Sequence, residues 1–387
     1  MTMDARANGV TYTDADVEGV RGILELDRTL VALDGPELVG SASAFTMDMT
    51  VPGGVWLSTA GVTWVGVIPT HRRRGILRQL MARQLDDLVE RGEPLAALSA
   101  SESGIYGRFG YGLATRRARL LVATKRVRMR DGTGDDGLVR FADGATARKT
   151  FPEIYERLRV ERPGTMSRDD RWWDYHLRDA ESLRDGATPL FFLLHPDGFA
   201  SYRRRSGWAH GLPVDEAIVT EFVAVTPPAH ASLWRVLLGL DLVDSLSFTR
   251  FSPDDPLVWL VDDPRRIQTT GVWDDSWVRV LQVRTALEGR RYLTDDRFVL
   301  ELIDPFRPDV GGRFELEGSS EGATCRRTTA EPDLVMDIRE LGSLYLGGVR
   351  ATTLVRAGRI EERTAGAARR ADAFFSSDPP PHNQTGF

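Results

Sequence analysis

The chain has 387 residues, 42% hydrophobic and 27% charged, with a net charge of −6, which describes a globular protein with room for two or three cored domains. The negative balance argues against nucleic acid as a main partner and suits cationic substrates. No apolar run approaches the ~20 residues of a membrane span, the N-terminal segment lacks a signal-peptide core, and Cys325 is the only cysteine; we therefore expect no membrane span, no intrachain disulfide and a cytoplasmic location.

In chain order, residues 27–34 (DRTLVALD) and 37–53 (ELVGSASAFTMDMTVPG) read as strands joined at Gly35-Pro36. A β-branched strand from Val62 to Val67 then breaks at Pro69 into His71-Arg72-Arg73-Arg74-Gly75. A helix begins at once, with Ile76, Leu77, Leu80, Met81, Leu85, Leu88 and Val89 at helical spacing. A strand at 95–101, a small helix holding residues 105–111 (IYGRFGY) and a strand at 117–124 follow, and the acidic, turn-rich stretch 131–137 (DGTGDDG) marks the best domain boundary.

The strand, turn and helix at 62–77 suit an anionic phosphate. The first turn of a helix has unpaired N–H groups and a partial positive charge. Gly75 lets the backbone approach a ligand, and arginines add forked donors. This turn matches neither GxxxxGK[ST] nor GxGxxG. What is present, Arg72-Arg73-Arg74-Gly75-Ile76 after a strand, resembles the pyrophosphate-binding turn of the GNAT acyl-CoA N-acetyltransferases. A solvated basic turn capping an ordinary helix is the plainer reading; the agreement of strand, turn, glycine and amphipathic helix weighs against it.

Beyond the linker the pattern echoes. Val65-x-Val67-x-Pro69 aligns with Val223-x-Val225-x-Pro227, an offset of 158 residues, and the apolar helix face recurs. His230-Ala231-Ser232-Leu233 stands opposite the arginine turn, so the repeat reads as a second fold of the same kind that has lost its cofactor. A third region begins near Leu287. Residues 298–306 (FVLELIDPF) and 312–319 (GRFELEGS) alternate like antiparallel strands, 334–348 reads as strand then short helix, and a helical segment after Arg359 ends in SSDPPPHNQTGF. Three consecutive prolines favour a stiff extended tail.

Acetylating an amine from a thioester requires an anchored pyrophosphate, backbone donors beside the acetyl carbonyl, and proton routes for the amine and the departing thiolate. The turn meets the first requirement, the edge of Val65 to Val67 the second, and Tyr106 is a plausible acid for the third. Packing against Phe109 and Tyr111 is the simpler account of Tyr106 taken alone. The histidines at 71, 176, 195, 210, 230 and 382 show no close metal spacing, and no metal is expected. His382 reads as a solvated tail residue, Cys325 as structural, and Trp172, Trp173 and Trp208 as packing residues or pocket walls.

Taken with residues 96–112 (AALSASESGIYGRFGYG), 194–203 (LHPDGFASYR) and 340–348 (ELGSLYLGG), the turn makes residues 27–387 similar to the Eis (enhanced intracellular survival) family of actinobacterial acetyltransferases. The resemblance implies an α/β fold of mixed α+β sheets: a catalytic GNAT domain (1–130), a second cofactor-free GNAT-like domain (131–285) and a domain similar to sterol carrier proteins (286–387). It implies a homohexamer that uses acetyl-CoA as co-substrate and acetylates several amines of polyamine small molecules such as aminoglycosides. Lysines of peptides or proteins are the alternative acceptor, and a non-catalytic CoA- or ligand-binding regulator is the alternative class. Carried over by motif, Val65, Val67, Arg72, Arg73, Gly75 and Ile76 hold the CoA, Ser101 lies near the acetyl or pantetheine arm, and Tyr106 is the general acid. The general base is the carboxylate of the chain terminus, here Phe387, which the Pro379-Pro380-Pro381 run would stiffen. Two departures stand out. About 26 residues precede the first strand, few for an opening strand and both helices of a full GNAT domain, and Gly386 leaves no acidic neighbour beside the terminus.

Overall fold

A computed structural model of the chain describes residues 2–133 and 136–387; Met1, and Gly134 and Asp135 of the linker, lie outside the described residues. Two short helices, α1 (Thr2–Asn8) and α2 (Asp14–Ile23), open the chain. Both helices fit into the short opening segment, while among the described residues no strand precedes them. Thr13 caps α2 by a capping box with Asp16, and Met3 and Ala7 of α1 pack on Val39 and Ile68. Strands β1 (Thr29–Asp34), β2 (Glu37–Val51) and β3 (Val55–Val67) form an antiparallel meander. Helix α3 (Ile76–Glu90) then crosses back, burying Leu80, Met81, Leu85 and Leu88, so that β4 (Leu95–Ser99) pairs parallel to β3. Next come α4 (Ser103–Tyr106) and β5 (Gly112–Leu113).

The next strand leaves this sheet. β6 (Arg116–Ala123) joins a second sheet built from β7 (Arg140–Ala142), β8 (Phe191–His195), β9 (Gly198–Arg205), β12 (Asp215–Ala224), β13 (Val243–Phe251) and β14 (Ile267–Asp274). Helices α5 (Gly144–Glu161), α6 (Asp170–Leu177), α7 (Pro227–Leu238) and α8 (Leu257–Leu260) accompany it, and β10 (Trp208–Ala209) and β11 (Leu212–Pro213) form a small hairpin. In return β15 (Ser276–Val280) inserts between β4 and β5 of the first sheet, while β6 sits between β13 and β14 of the second. The first sheet runs β1-β2-β3-β4-β15-β5 and the second β14-β6-β13-β12-β9-β8-β7. Where the strands cross, Asp275 N–H donates to Thr115 O at 3.1 Å and Ser276 N–H to the Thr115 hydroxyl at 2.9 Å. The repeat seen in the sequence is thus a repeat of fold. Parallel pairing of β3 with β4 ends at Gly61, and that of β12 with β13 ends at Val219, positions separated by the same offset as Val65 and Val223.

The third domain comprises α9 (Val283–Glu288), β16 (Asp296–Ile303), β17 (Gly312–Gly318), β18 (Ala323–Arg327), β19 (Leu334–Asp337), α10 (Ile338–Leu344), α11 (Ala351–Arg356), β20 (Ile360–Glu362) and α12 (Ala367–Phe375), with sheet order β18-β17-β16-β19-β20. Its α10 lies directly on β5 and β15. A Cβ on Gly112 would stand 1.7 Å from Arg339 O, and one on Gly342 2.2 Å from Val278 O, so only glycine permits this approach. Trp172 packs edge-on against Phe45 at 4.9 Å and Trp173 lies in the second domain's core, whereas Trp208 is 75% exposed. Arg279 of β15 and Asp304 after β16 form an ion pair with both side chains fully buried. Removing one partner strands a buried charge, which costs about 3–5 kcal/mol. Asp304→Ala should therefore lower the unfolding midpoint sharply in thermal melts, whereas Arg21→Ala, which breaks an exposed pair with Glu18, should leave it nearly unchanged.

Candidate active site

The first sheet splits where β3 and β4 stop pairing. On β3 the register with β2 slips between Ser41↔Gly66 and Ser43↔Thr63, a bulge in which Trp64 takes φ 45° and its carbonyl accepts the Ser41 hydroxyl at 2.7 Å. Beyond Gly61 the β4-facing edge of β3 has no strand partner among the described residues. The wedge holds a cleft of about 580 Å³. Val65, Val67, Arg72, Arg73, Gly75, Ile76, Ser101 and Tyr106 all line it, so residues spread over more than forty positions converge on one concavity. Phe387 is not among the lining residues. Its ring instead lies over Gly61, where a Cβ would be 3.4 Å from the ring carbons, on the strand that forms the cleft's wall.

The turn has the conformation its composition suggests. Arg73 and Gly75 adopt left-handed φ of 64° and 83°, and nothing lies within 4 Å of a Cβ built on Gly75. This backbone feeds the open N–H groups of the first turn of α3 into the cleft. The three arginines differ in what they do. Arg72 donates to Val67 O at 3.2 Å and to Ala7 O at 2.7 Å, fastening α1 to the turn, and Arg74 donates to Thr70 O at 3.1 Å. Arg73 lines the cleft and makes no hydrogen bond or ion pair with a described residue. Arg78, one turn into α3, also lines the cleft, 5.0 Å from the Phe306 ring centroid. The sequence reading missed Arg78, though helical spacing from Gly75 places it on the same side.

Tyr106 is 6% exposed, packed among the apolar side chains under α3 and edge-on to Tyr111 at 6.1 Å. Its ring is part of the core, and the residue also borders the cleft. Burial, reinforced by the Glu102 charge, pushes its phenol above the ordinary value, so the proton stays on oxygen at neutral pH. Glu102, also missed, is an exposed carboxylate on the cleft wall four residues from Tyr106. Cys325 is 1% exposed and burial pushes its thiol up to about 12, which keeps it from acting as a nucleophile.

The counterpart in the second half lacks the turn. α7 starts two residues after Val225, with Pro227 and Pro228 at its first positions, so those N–H groups do not exist, and Thr226 caps the Ala229 N–H. The residues aligned with the arginine turn lie inside this helix. The chain's tail is also placed differently from expectation. His382 is not solvated but 6% exposed, with its N–H donating to Pro163 O at 2.9 Å and its ring 3.1 Å from Arg250 O. Gly386 lies against the guanidinium end of Arg250, whose Nη2 would be 2.3 Å from a Cβ there.

Residues 1–114 and 164–280 each match a model of the acetyltransferase (GNAT) domain, and residues 283–384 match the sterol carrier protein domain. The N-acetyltransferase Eis of Mycobacterium tuberculosis is 40% identical over 371 residues, which cover 93% of this chain and 89% of that protein. The chain belongs to the Eis family of GNAT N-acetyltransferases. An uncharacterized N-acetyltransferase of Streptomyces avermitilis is 40% identical over 385 residues, 98% of this chain and 94% of its own. The crystal structure of Eis1 from Mycobacterium abscessus has a TM-score of 0.89 and 37% identity, with 100% of this chain and 96% of that one covered. The protein is an acetyltransferase, and GNAT acetyltransferases use acetyl-CoA.

The buried tail carries a pH dependence. Burial, and then Arg162, push His382 from 6.5 down to about 4. Above pH ~6.5 the folded and unfolded chains both carry it neutral. As pH falls from there to about 4, only the unfolded chain takes up the proton, and the folded state loses up to ~3 kcal/mol. Desolvation, and then Arg168, shift His176 in the same direction. Melting temperature should fall on acidification from neutral pH, with a shallower slope in His382→Gln than in the parent chain.

Proposed function

We propose that this Eis-family enzyme acetylates primary amines of amine-rich small molecules such as aminoglycosides, at more than one position, by direct attack of the amine on the acetyl-CoA thioester. The observation that carries the reading is the convergence of the eight lining residues on a single split-sheet cleft. Arg73 and the N–H groups at the start of α3 would hold the pyrophosphate, with Gly75 and Ile76 giving the backbone close approach and Arg72 fixing the turn through α1. Val65 and Val67 would offer backbone groups to the acyl and pantetheine end, near Ser101. Tyr106, whose proton is retained, would protonate the departing thiolate. The terminal carboxylate of Phe387 would take the amine's proton. Glu102 adds a negative charge that attracts cationic acceptors. The resemblance also carries homohexameric assembly and a cytoplasmic setting.

The test is mass spectrometry of an aminoglycoside panel after incubation with untagged protein and acetyl-CoA. Products heavier by one or more acetyl groups are expected. Acetylation of lysine peptides with no shift in the panel would transfer the reading to a peptide acceptor. Removing Phe387, or Tyr106→Phe, should lower turnover by about 10²-fold or more while acetyl-CoA binding is retained, since each removes a proton-transfer group. Arg73→Ala should weaken acetyl-CoA binding by about 10-fold or more, the loss of a charge-assisted contact. Arg72→Ala should instead lower the melting temperature more than the affinity, because its guanidinium is bonded to α1.

A further inference from the structure

We propose that the second GNAT-like half serves as the seat of the chain's own C-terminal tail, with Arg168, Tyr155 and the Phe222 backbone acting through Thr385 and Gln384 to position Phe387. The functional part of this inference rests on the reading of the Phe387 carboxylate as the base.

The second sheet splits as the first does. β12 leaves β13 after Val219, and the edge beyond is open to the wedge. In the first half that wedge is the cleft. In the second, the tail enters it. Phe222, beside the Val223 counterpart of Val65, donates its N–H to Gln384 Oε1 at 3.3 Å and accepts from Gln384 Nε2 at 2.6 Å. The side-chain amide thus satisfies the strand edge much as a further strand would. The next residue, Thr385, is wholly buried. Its hydroxyl accepts from Arg168 Nε at 2.9 Å and lies 3.0 Å from the Tyr155 hydroxyl, which itself donates to Met166 O at 2.7 Å. Arg168 has little freedom: it pairs with Glu221 at 2.6 Å and lies over the rings of Tyr155 and Trp173. Asn383 closes the local turn, accepting from Thr385 N–H at 2.9 Å and donating to Thr385 O at 2.8 Å.

A free chain end samples many conformations, and fixing each residue costs about 1–2 kcal/mol. Buried bonds to Gln384 and Thr385 offset that cost and leave only Gly386 between the latch and the terminal residue. Phe387 is then delivered to Gly61, the last residue of β3 to pair with β4, at the mouth of the first wedge. A carboxylate held this way needs no search before each turnover.

Full-length, untagged Thr385→Val, Gln384→Ala and Thr385→Ser test this, each checked for an unchanged circular dichroism spectrum. Two readouts are compared: release of Phe387 by carboxypeptidase, and kcat with KM for acetyl-CoA. Thr385→Val and Gln384→Ala should release Phe387 about tenfold faster or more, with kcat down by about tenfold or more and KM for acetyl-CoA within about twofold. Thr385→Ser, which restores the hydroxyl, should behave like the parent. Unchanged release in both Val and Ala variants would overturn the seat. Faster release with undiminished kcat would overturn its coupling to catalysis. If removing Phe387 itself leaves turnover intact, the base reading fails, and the release rates alone still decide whether the seat exists.

Discussion

The reciprocal exchange of β6 and β15 is the constraint on which the rest of the molecule depends. Each strand completes the other half's sheet, so neither half can close its hydrogen-bond ladder alone. The crossing is sealed by backbone bonds among Thr115, Asp275 and Ser276, and buried Asp275 faces Arg250 and Arg117. Two sheets joined this way cannot hinge freely. Their wedges, one ending at Gly61 and the other at Val219, are therefore held in fixed relation. A tail lodged in the second wedge can reach the first only because that relation is rigid.

Within this frame, one supersecondary unit has been put to two uses. Both copies run strand, proline, helix, and both sheets split at the same point of the repeat. In the first, a left-handed Arg73 and Gly75 open a turn before α3 and expose its first N–H groups. In the second, α7 follows the strand almost at once and begins with two prolines, which have no N–H to offer. A few residues of turn chemistry decide whether a helix N-terminus can hold an anion. The difference is one of donors, not of architecture.

The third domain supplies more than bulk. Its α10 presses on β5 and β15 through Gly112 and Gly342, and the buried Arg279–Asp304 pair ties it to the exchanged strand itself. The shared apolar core, which includes Phe45, Met47, Trp172, Val278, Phe298 and Leu341, runs through all three parts. From the end of α12 the tail therefore leaves a fixed point, and His382, Asn383 and Thr385 are buried where a terminal segment would ordinarily be solvated.

The sequence by itself determined what is local. The strand, arginine turn and helix at 62–77, the small helix carrying Tyr106, the alternation of β16 and β17 and the repeat at Val223 all follow from spacing, glycine and periodicity within short windows, and the resemblance of such segments to known motifs carried the family. What only the tertiary structure decided depends on partners far away in the chain. Arg72 and Arg73 are indistinguishable neighbours in sequence, yet one is fastened to Ala7 and the other left open, because α1 packs on β3. β6 reads like a last strand of the first region, but its hydrogen bonds are to β13 and β14, since a strand's pattern specifies a buried face and not which sheet supplies it. The tail's polar run HNQT looks solvated for the same reason. Its hydrogen-bond partners, Pro163, Arg168, Tyr155, Phe222, Arg250 and Ser276, lie more than 100 residues away and meet it only when the exchanged sheets are assembled.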